Sequence, residues 1–549
     1  MKSFRFPVCM MLIAALSGVT LAGVAATAPS PAPATAAFAA QALAETAVPV
    51  RPGEPGVTPF WNSGAVQFLY APAFAIPAVA GAKTYRFTLR SKNGDEQSFT
   101  APQPWAALSP VWPKVAVGPV TLTVQALDGD GRPLDQPAQR TFHRAASFGG
   151  VYAAPASTWR ESARTALAAL AHSPDLRCWF GTGGPAEEFH LYRYPYKIVG
   201  AAAAALAIYA TQTPVPADAP AALAASRRAA DYLLSLSFPA GSPWAFHPPT
   251  YHPTMFAERL KGHMSAQNHM TSSGAESGLC YLSVYKATRD RKYLDAAVRI
   301  AETYAERQRS DGSWPLFVRV SDGSEVTENT MIPTMVVDFL DRLAPAAKTD
   351  RFDAMRARAL AWIESNPVRT WNWQGQFEDV KPLPPYENLT KHDGCDYAIH
   401  LLRSAPNDPA KRALALDLLR FAEDQFIMWA QPPSERPGKQ SADGAAATKP
   451  NRWLLPCVLE QYRCYAPVCA SSAKLIRTYL AAYGVTRDRL HLEKARALAA
   501  TLTRTQANAK APGRFLTWVM QPTGLMWFNC ELLAIEALQE LAAVDPRSP

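Results

Sequence analysis

The densest reactive chemistry runs from Trp371-Asn372-Trp373-Gln374-Gly375-Gln376-Phe377-Glu378-Asp379 to Tyr386-Glu387-Asn388-Leu389-Thr390-Lys391-His392-Asp393-Gly394. Acids, amides and rings with so few aliphatic neighbours describe a loop that a core does not absorb. Indole faces such as Trp371 and Trp373 stack on pyranose rings, and carboxyls such as Glu378, Asp379, Glu387 and Asp393 move protons or bind hydroxyls. The same loop suits helix capping, with Thr390 or Asn388 as N-cap and Asp393 in the first turn. The two roles are compatible.

Other loops carry similar chemistry. His263, Gln267, Asn268, His269, Thr271 and Glu276 gather around a helix start at Ser272. His269 and Glu276 share a helical face only if that helix begins earlier. Before an Ala-rich helix, Tyr192, Arg193, Tyr196 and Lys197 place phenols beside cations, and a guanidinium fork at Arg193 matches a sugar carboxylate. Surface charge is the plain alternative. Trp314, Arg319, Glu325, Glu328 and Asn329 follow, then Glu460, Gln461, Tyr462 and Arg463, then Arg514, Trp518, Trp527, Asn529 and Glu531. These sets recur at similar points of successive helical pairs, so a fold that closes the pairs into a ring brings them to one rim.

The elements that must position them are predominantly helical. From Ser157 onward, amphipathic stretches alternate with loops rich in Pro, Gly, Trp, Tyr and His: 159–172, 195–211, 217–236, 272–286, 292–309, 330–343, 350–365, 392–404, 408–429, 469–483, 487–506 and 527–543. Twelve helices make six hairpins, or seven if one is undercounted, and predict an α/α toroid over 155–545. An open solenoid is the alternative, but the unequal, chemically crowded connections favour a ring with one working face. Ahead of it, residues 48–146 alternate with period two at 66–70, 84–89 and 120–126, with turns at Asn93-Gly94-Asp95 and Asp128-Gly129-Asp130-Gly131. That pattern predicts a small β-sandwich, immunoglobulin-like or fibronectin-like, serving as a structural spacer.

One helical pair carries a resemblance. Ser277-Gly278-Leu279-Cys280-Tyr281-Leu282-Ser283-Val284-Tyr285-Lys286-Ala287-Thr288-Arg289-Asp290, then Lys292-Tyr293-Leu294-Asp295-Ala296-Ala297 and Ile300-Ala301-Glu302-Thr303-Tyr304, closes on Gln308 and Asp311-Gly312-Ser313-Trp314-Pro315. It resembles a hairpin of the α/α-toroid carbohydrate enzymes, the group that holds six-hairpin glycosidases and uronate polysaccharide lyases. The resemblance implies a fold and a substrate class, not a reaction. The Gln308, Gly312, Trp314 spacing is also similar to squalene-type terpene cyclase repeats, but an Asp-x-Asp-Asp acid motif is missing.

Composition bounds the rest. The chain has 549 residues, 48% apolar and 18% charged, with 55 basic against 46 acidic side chains giving +9. This excludes a disordered tail or a disulfide miniprotein, and so mild a positive charge is compatible with an acidic glycan without requiring one. Lys2 and Arg5 ahead of the apolar run Val8–Ile13 read as a secretory signal, with residues 1–39 removed or linking; Pro29 disfavours cleavage after Ala28 and leaves Ala37-Phe38-Ala39. The mature protein is therefore expected to be periplasmic or secreted, without stable membrane insertion. Seven cysteines outside that signal are read first as unbridged thiols, then as a Cys464–Cys469 disulfide, and last as zinc ligands from Cys457, Cys464, Cys469 and Glu460. The Pro- and Ala-rich segment Gln431–Asn451 reads as a mobile insertion with the makings of a lid.

No phosphate loop, dinucleotide fingerprint, His-Glu-x-x-His site or basic nucleic-acid stretch occurs, so catalysis without cofactor or metal is the default and nucleic acid is not a partner. The preferred reaction is hydrolysis of a uronic-acid-containing oligo- or polysaccharide by two carboxyls drawn from Glu378, Asp379, Glu387 and Asp393, with Glu276 as a partner across the ring. β-Elimination is the alternative, with Tyr192, Tyr196, His269, His392 or Tyr462 taking the C5 proton. Trp314, Arg319, Trp371, Trp373, Tyr462, Trp527 and Asn529 join Tyr192, Arg193, Tyr196 and Lys197 as expected sugar contacts. A non-catalytic glycan-binding envelope protein is the rival from another class.

Overall fold

The computed structural model describes residues 33–545 except 135, 182, 431–451, 509 and 521–525. The predicted signal core and the insertion Gln431–Asn451 lie outside the described residues. Helix α1, Pro33–Glu45, begins within the stretch the sequence assigns to the leader and linker. It is tied to the body by Gln41 Nε2, which donates to Asp488 Oδ2 at 2.9 Å.

The N-terminal module contains β1 (Gln67–Phe68), β2 (Ala73–Ala75), β3 (Thr84–Ser91), β4 (Glu96–Ala101), β5 (Trp105–Ala107), β6 (Gly118–Leu127) and β7 (Ala138–Arg144). One five-stranded sheet runs β1-β7-β6-β3-β4, with β1 parallel to β7 and the other pairs antiparallel. Alternation selects its buried face: Tyr85, Phe87 and Leu89 on β3 lie opposite Ala126, Val124 and Leu122 on β6, and all are buried. Of a two-layer sandwich, the described residues supply this sheet and a two-stranded ribbon, β2 with β5, whose Phe74 packs on Phe68 and Phe142.

The helical body comprises α2 (Trp159–Ala171), α3 (Pro195–Gln212), α4 (Asp218–Ser235), α5 (Ser273–Thr288), α6 (Arg291–Arg307), α7 (Thr334–Ala347), α8 (Asp353–Ile363), α9 (His392–Ser404), α10 (Pro409–Phe426), α11 (Cys469–Thr486), α12 (Arg489–Thr505) and α13 (Phe528–Val544). Helices α3, α5, α7, α9, α11 and α13 touch in that order, and α13 returns to α3. Six inner helices therefore close a ring, each backed by an outer helix: α4, α6, α8, α10, α12 and, for α13, the N-terminal α2. Chain order misleads only there, since the first helix pairs with the last. Burial explains the division. Helix α3 is apolar almost all round, with Gly200 to Ala207 all buried, whereas α6 buries one stripe and exposes its charged face.

The short turns share a device. In Thr288-Arg289-Asp290 and Thr486-Arg487-Asp488, the arginine turns left-handed (φ 57° and 59°), and the threonine hydroxyl accepts from the aspartate N–H at 3.2 Å. Each aspartate then caps the next helix through Lys292 N or Leu490 N. Because these tight turns join inner to outer helices at one end of the ring, the long outer-to-inner connections all reach the opposite end. That end receives the N-termini of the inner helices.

The two parts are locked together through buried groups. Asp424 Oδ1 on α10 accepts from Leu69 N and Tyr70 N at 2.6 and 2.7 Å, while Glu423 binds Lys494, Tyr70 and Trp429 at 2.9 to 3.0 Å. No helix among the described residues is long and apolar enough to cross a membrane.

Candidate active site

A cavity of about 490 Å³ opens at the N-terminal end of the inner ring. Inner helices deliver its polar groups near their N-termini: Tyr196 and Lys197 from α3, Glu276 from α5, His392, Asp393 and Asp396 from α9, Lys474 from α11 and Asn529 from α13, while Thr334 at the start of α7 hydrogen-bonds Asp393 without lining this cavity. The loop 376–379 supplies Gln376, Phe377, Glu378 and Asp379. A deeper chamber of about 760 Å³ continues toward the C-terminal ends, and the two meet where Lys197, Glu276, Asp396, Lys474 and Asn529 border both.

Glu378 is held from several sides. Its side chain is 1% exposed, and its Oε2 receives Lys197 Nζ at 2.5 Å and Tyr196 OH at 3.0 Å. Tyr251 OH and His263 Nε2 hold its backbone carbonyl at 2.7 and 3.0 Å. Oε1 has no partner. Burial alone would lower Lys197, but the Glu378 and Glu276 carboxylates outweigh it and hold the ammonium well above its ordinary value.

Glu276 is in the opposite condition. Burial pushes its carboxyl up to about 7; Lys197 opposes this and the Glu378 charge reinforces it. Burial likewise pushes Asp393 up to about 7, against a hydrogen bond donated by Thr334 Oγ1 and with the help of Asp396. Asp396 itself is ion-paired with Lys474 at 2.5 Å. Burial, then the charges of Lys391, Lys474 and Lys197, depress His392 well below its ordinary value, so its imidazole is neutral. Glu378, ion-paired with Lys197, and Glu276, raised by burial to about 7, thus stand in one cavity in opposite environments.

Of the predicted residues, the structure brings together Glu276, Glu378, Asp379, His392, Asp393, Arg193, Tyr196, Lys197, Trp527 and Asn529. Glu387 stands apart, ion-paired with Arg463 at 2.9 Å near the surface. His269 lies on the short strand 268–270, before the helix, so it does not share a face with Glu276; it is buried against Phe238, Trp244 and His247.

The expected aromatic platforms are mostly core. Trp314 is fully buried and donates to the Tyr304 carbonyl at 2.9 Å; Trp371 packs on Phe421 and Trp373 on Tyr397. Tyr192 is buried, accepting from Trp179 Nε1 and donating to the Asp175 carbonyl, and Tyr462 donates to Gln425 Oε1 at 2.7 Å. Arg319 is exposed at the end of strand 317–319, away from the cavity. Large rings in these loops fill the space where loops pack on one another, so they have no free face for a sugar.

Lys197 also differs from expectation, since its charge is engaged by Glu378. Thr334, Asp396 and Lys474 are site residues the loop chemistry misses. The spacing Asp393 to Asp396, one helical turn, is the signal for one of them. Cys464 hydrogen-bonds to the Glu460 carboxyl and forms no disulfide with buried Cys469.

No family model matches the chain, and no curated protein does. Solved structures similar to it include a family 76 glycoside hydrolase from a bovine Bacteroides thetaiotaomicron strain, at 10% identity and TM-score 0.42, covering 84% of this chain and 92% of that one. Another is the cellobiose 2-epimerase of Spirochaeta thermophila, at 14% identity and TM-score 0.47, covering 71% and 99%. A third is an unsaturated glucuronyl hydrolase specific for heparin, at 12% identity and TM-score 0.43, covering 71% and 98%. These are carbohydrate enzymes, the broad group that the 277–315 stretch resembles.

Proposed function

We propose that the chain is an exported, periplasmic or secreted enzyme that hydrolyses a uronic-acid-containing glycoside in the rim cavity. The observation that supports this is the carboxyl pair in opposite environments, one ion-paired and one raised by burial. Glu378, ion-paired with Lys197 and with Oε1 unengaged among the described residues, acts as nucleophile or base, and Glu276, which keeps its proton up to about pH 7, gives it to the departing oxygen. Asp393 is the second candidate acid, on the same evidence of a carboxyl raised to about 7.

The sugar carboxylate is assigned to Arg193. With Lys197 engaged, Arg193 is the remaining cation of that cluster at the cavity wall, and its buried Nε has no acceptor among the described residues. A guanidinium fork binds a carboxylate at two points. Trp527, stacked on Tyr194 at 5.5 Å, and Trp518 supply ring surface at the cavity edge. Residues 155–545 are the catalytic part in this reading, and the β module of 48–146 is a structural spacer.

One observation favours β-elimination as a second reading: neutral His392 lies in the cavity, where a base would be needed. Tyr196 does not suit that role, because it donates to Glu378 and burial raises it well above its ordinary value. Incubation of the mature protein with a panel of uronic-acid glycans, following enoate absorbance and new reducing ends together, separates the readings. New reducing ends without absorbance support hydrolysis. Rising absorbance moves the reaction to elimination, and binding without turnover, unchanged in Asp393→Asn, makes the protein a glycan binder.

A further inference from the structure

Behind the cavity wall, a fully buried lysine touches a site residue without lining the cavity itself. Lys391 Nζ lies 2.5 Å from Ser471 Oγ, 2.7 Å from the Glu460 carbonyl oxygen and 3.2 Å from His392 Nε2. Three acceptors meet the three protons of an ammonium. The Glu460 carbonyl is fixed in turn by Thr390 Oγ1 at 2.8 Å, and the ammonium sits over the Phe426 ring at 5.7 Å. Burial pushes Lys391 down to about 7, against the Glu460 carboxylate, Cys395 and Cys464, while Lys474 adds to the depression. Below that value the group is cationic.

A neutral imidazole carries one N–H, and an ammonium directed at Nε2 leaves that nitrogen only the acceptor role. The proton must then sit on Nδ1. His392 Nδ1 makes no hydrogen bond among the described residues, and His392 lines the cavity.

We propose that Lys391 is a positioning residue: it fixes His392 as the Nδ1–H tautomer and thereby presents a hydrogen-bond donor to an acceptor oxygen of the bound sugar, a carboxylate or hydroxyl oxygen. The identity of that oxygen rests on the glycan reading; the tautomer does not. The arrangement also bears on the reaction. With Nε2 engaged by Lys391 and Nδ1 protonated, His392 has no lone pair left to remove a proton, so it serves as a donor and not as the base of an elimination.

The test is the ¹⁵N spectrum of the full mature chain labelled at histidine, without ligand, at about pH 6, below the value of Lys391. The His392 signals are assigned by their loss in His392→Gln. The expected result is a protonated Nδ1 and an unprotonated Nε2 in the wild type. Lys391→Gln, whose amide still donates, keeps that pattern, and Lys391→Met moves the proton toward Nε2. A wild-type Nε2–H tautomer overturns the proposal, and so does an unchanged Nδ1–H pattern in Lys391→Met. Should Lys391→Met not fold, the wild-type spectrum and Lys391→Gln still decide. The expected tautomers together with no turnover of any glycan uphold the positioning role and overturn the glycan reading alone.

Discussion

Glu276→Gln separates stability from catalysis with opposite signs, and both follow from one carboxyl. In the folded protein this group titrates near 7, against an ordinary value of 4.5. The folded state therefore holds the proton more tightly than the unfolded chain, so this group costs least stability below 4.5 and the cost grows as pH rises toward 7. Converting the displacement at 1.36 kcal/mol per tenfold gives a cost of about 3 kcal/mol at pH 8, falling to roughly 1 kcal/mol by pH 5. Glutamine keeps the shape and removes the charge. Its thermal or denaturant midpoint is expected to lie above the wild type at pH 8, with the difference shrinking as the pH is lowered to 5. Turnover of the responsive glycan should fall by roughly 10²–10⁴-fold, the usual worth of a general acid. In the wild type, kcat/KM should decline above pH 7, and that limb should disappear in the variant. A Glu276→Gln protein that is less stable than the wild type at pH 8, or that keeps its alkaline limb, refutes the assignment of a strained, protonated acid at this position.

Three further outcomes follow from packing and charge. Lys197→Met strands the Glu378 carboxylate in a buried site and should cost about 3–5 kcal/mol in urea unfolding at neutral pH, with loss of turnover; a variant as stable as the wild type contradicts the ion pair. Trp373→Phe removes buried volume behind the rim and should lower the unfolding midpoint while leaving glycan KM unchanged, whereas a large rise in KM would restore Trp373 as a sugar platform. Gly278→Ala, on the face of α5 where a methyl group would overlap the Phe339 ring of α7, should cost about 1–3 kcal/mol by overpacking without altering the pH profile of turnover.

The sequence exposes the ring more readily than the pocket, for a physical reason. Helix period and capping are local, so the stretches later seen as α3 to α13 announce themselves, and the repeated Thr-Arg-Asp turns at 288–290 and 486–488 mark equivalent corners. Pairing is not local, which is why α2 gives no sign that it backs α13. Carboxyls at the first turn of an inner helix, such as Glu276 and Asp393, are legible because a helix start places them on the rim whatever the ring's exact closure. Thr334, Asp396 and Lys474 become site residues only once ring closure decides which side of each inner helix faces the bore. Tryptophans mislead in the other direction. An indole in a polar loop looks like a sugar platform, yet long connections packed on one another need large rings as their own core, and Trp314, Trp371 and Trp373 serve there. What distinguishes a working residue in this fold is therefore not its chemistry alone but its place on the cavity wall, where an open polar atom can meet a ligand. Among the described residues Glu378 Oε1 and Asn529 Oδ1 remain without partners at the cavity, whereas Trp373 Nε1, also unpartnered, is buried against Tyr397 and does not line the cavity. Buried acceptors left open in this way are tolerated where a ligand's hydroxyls complete them.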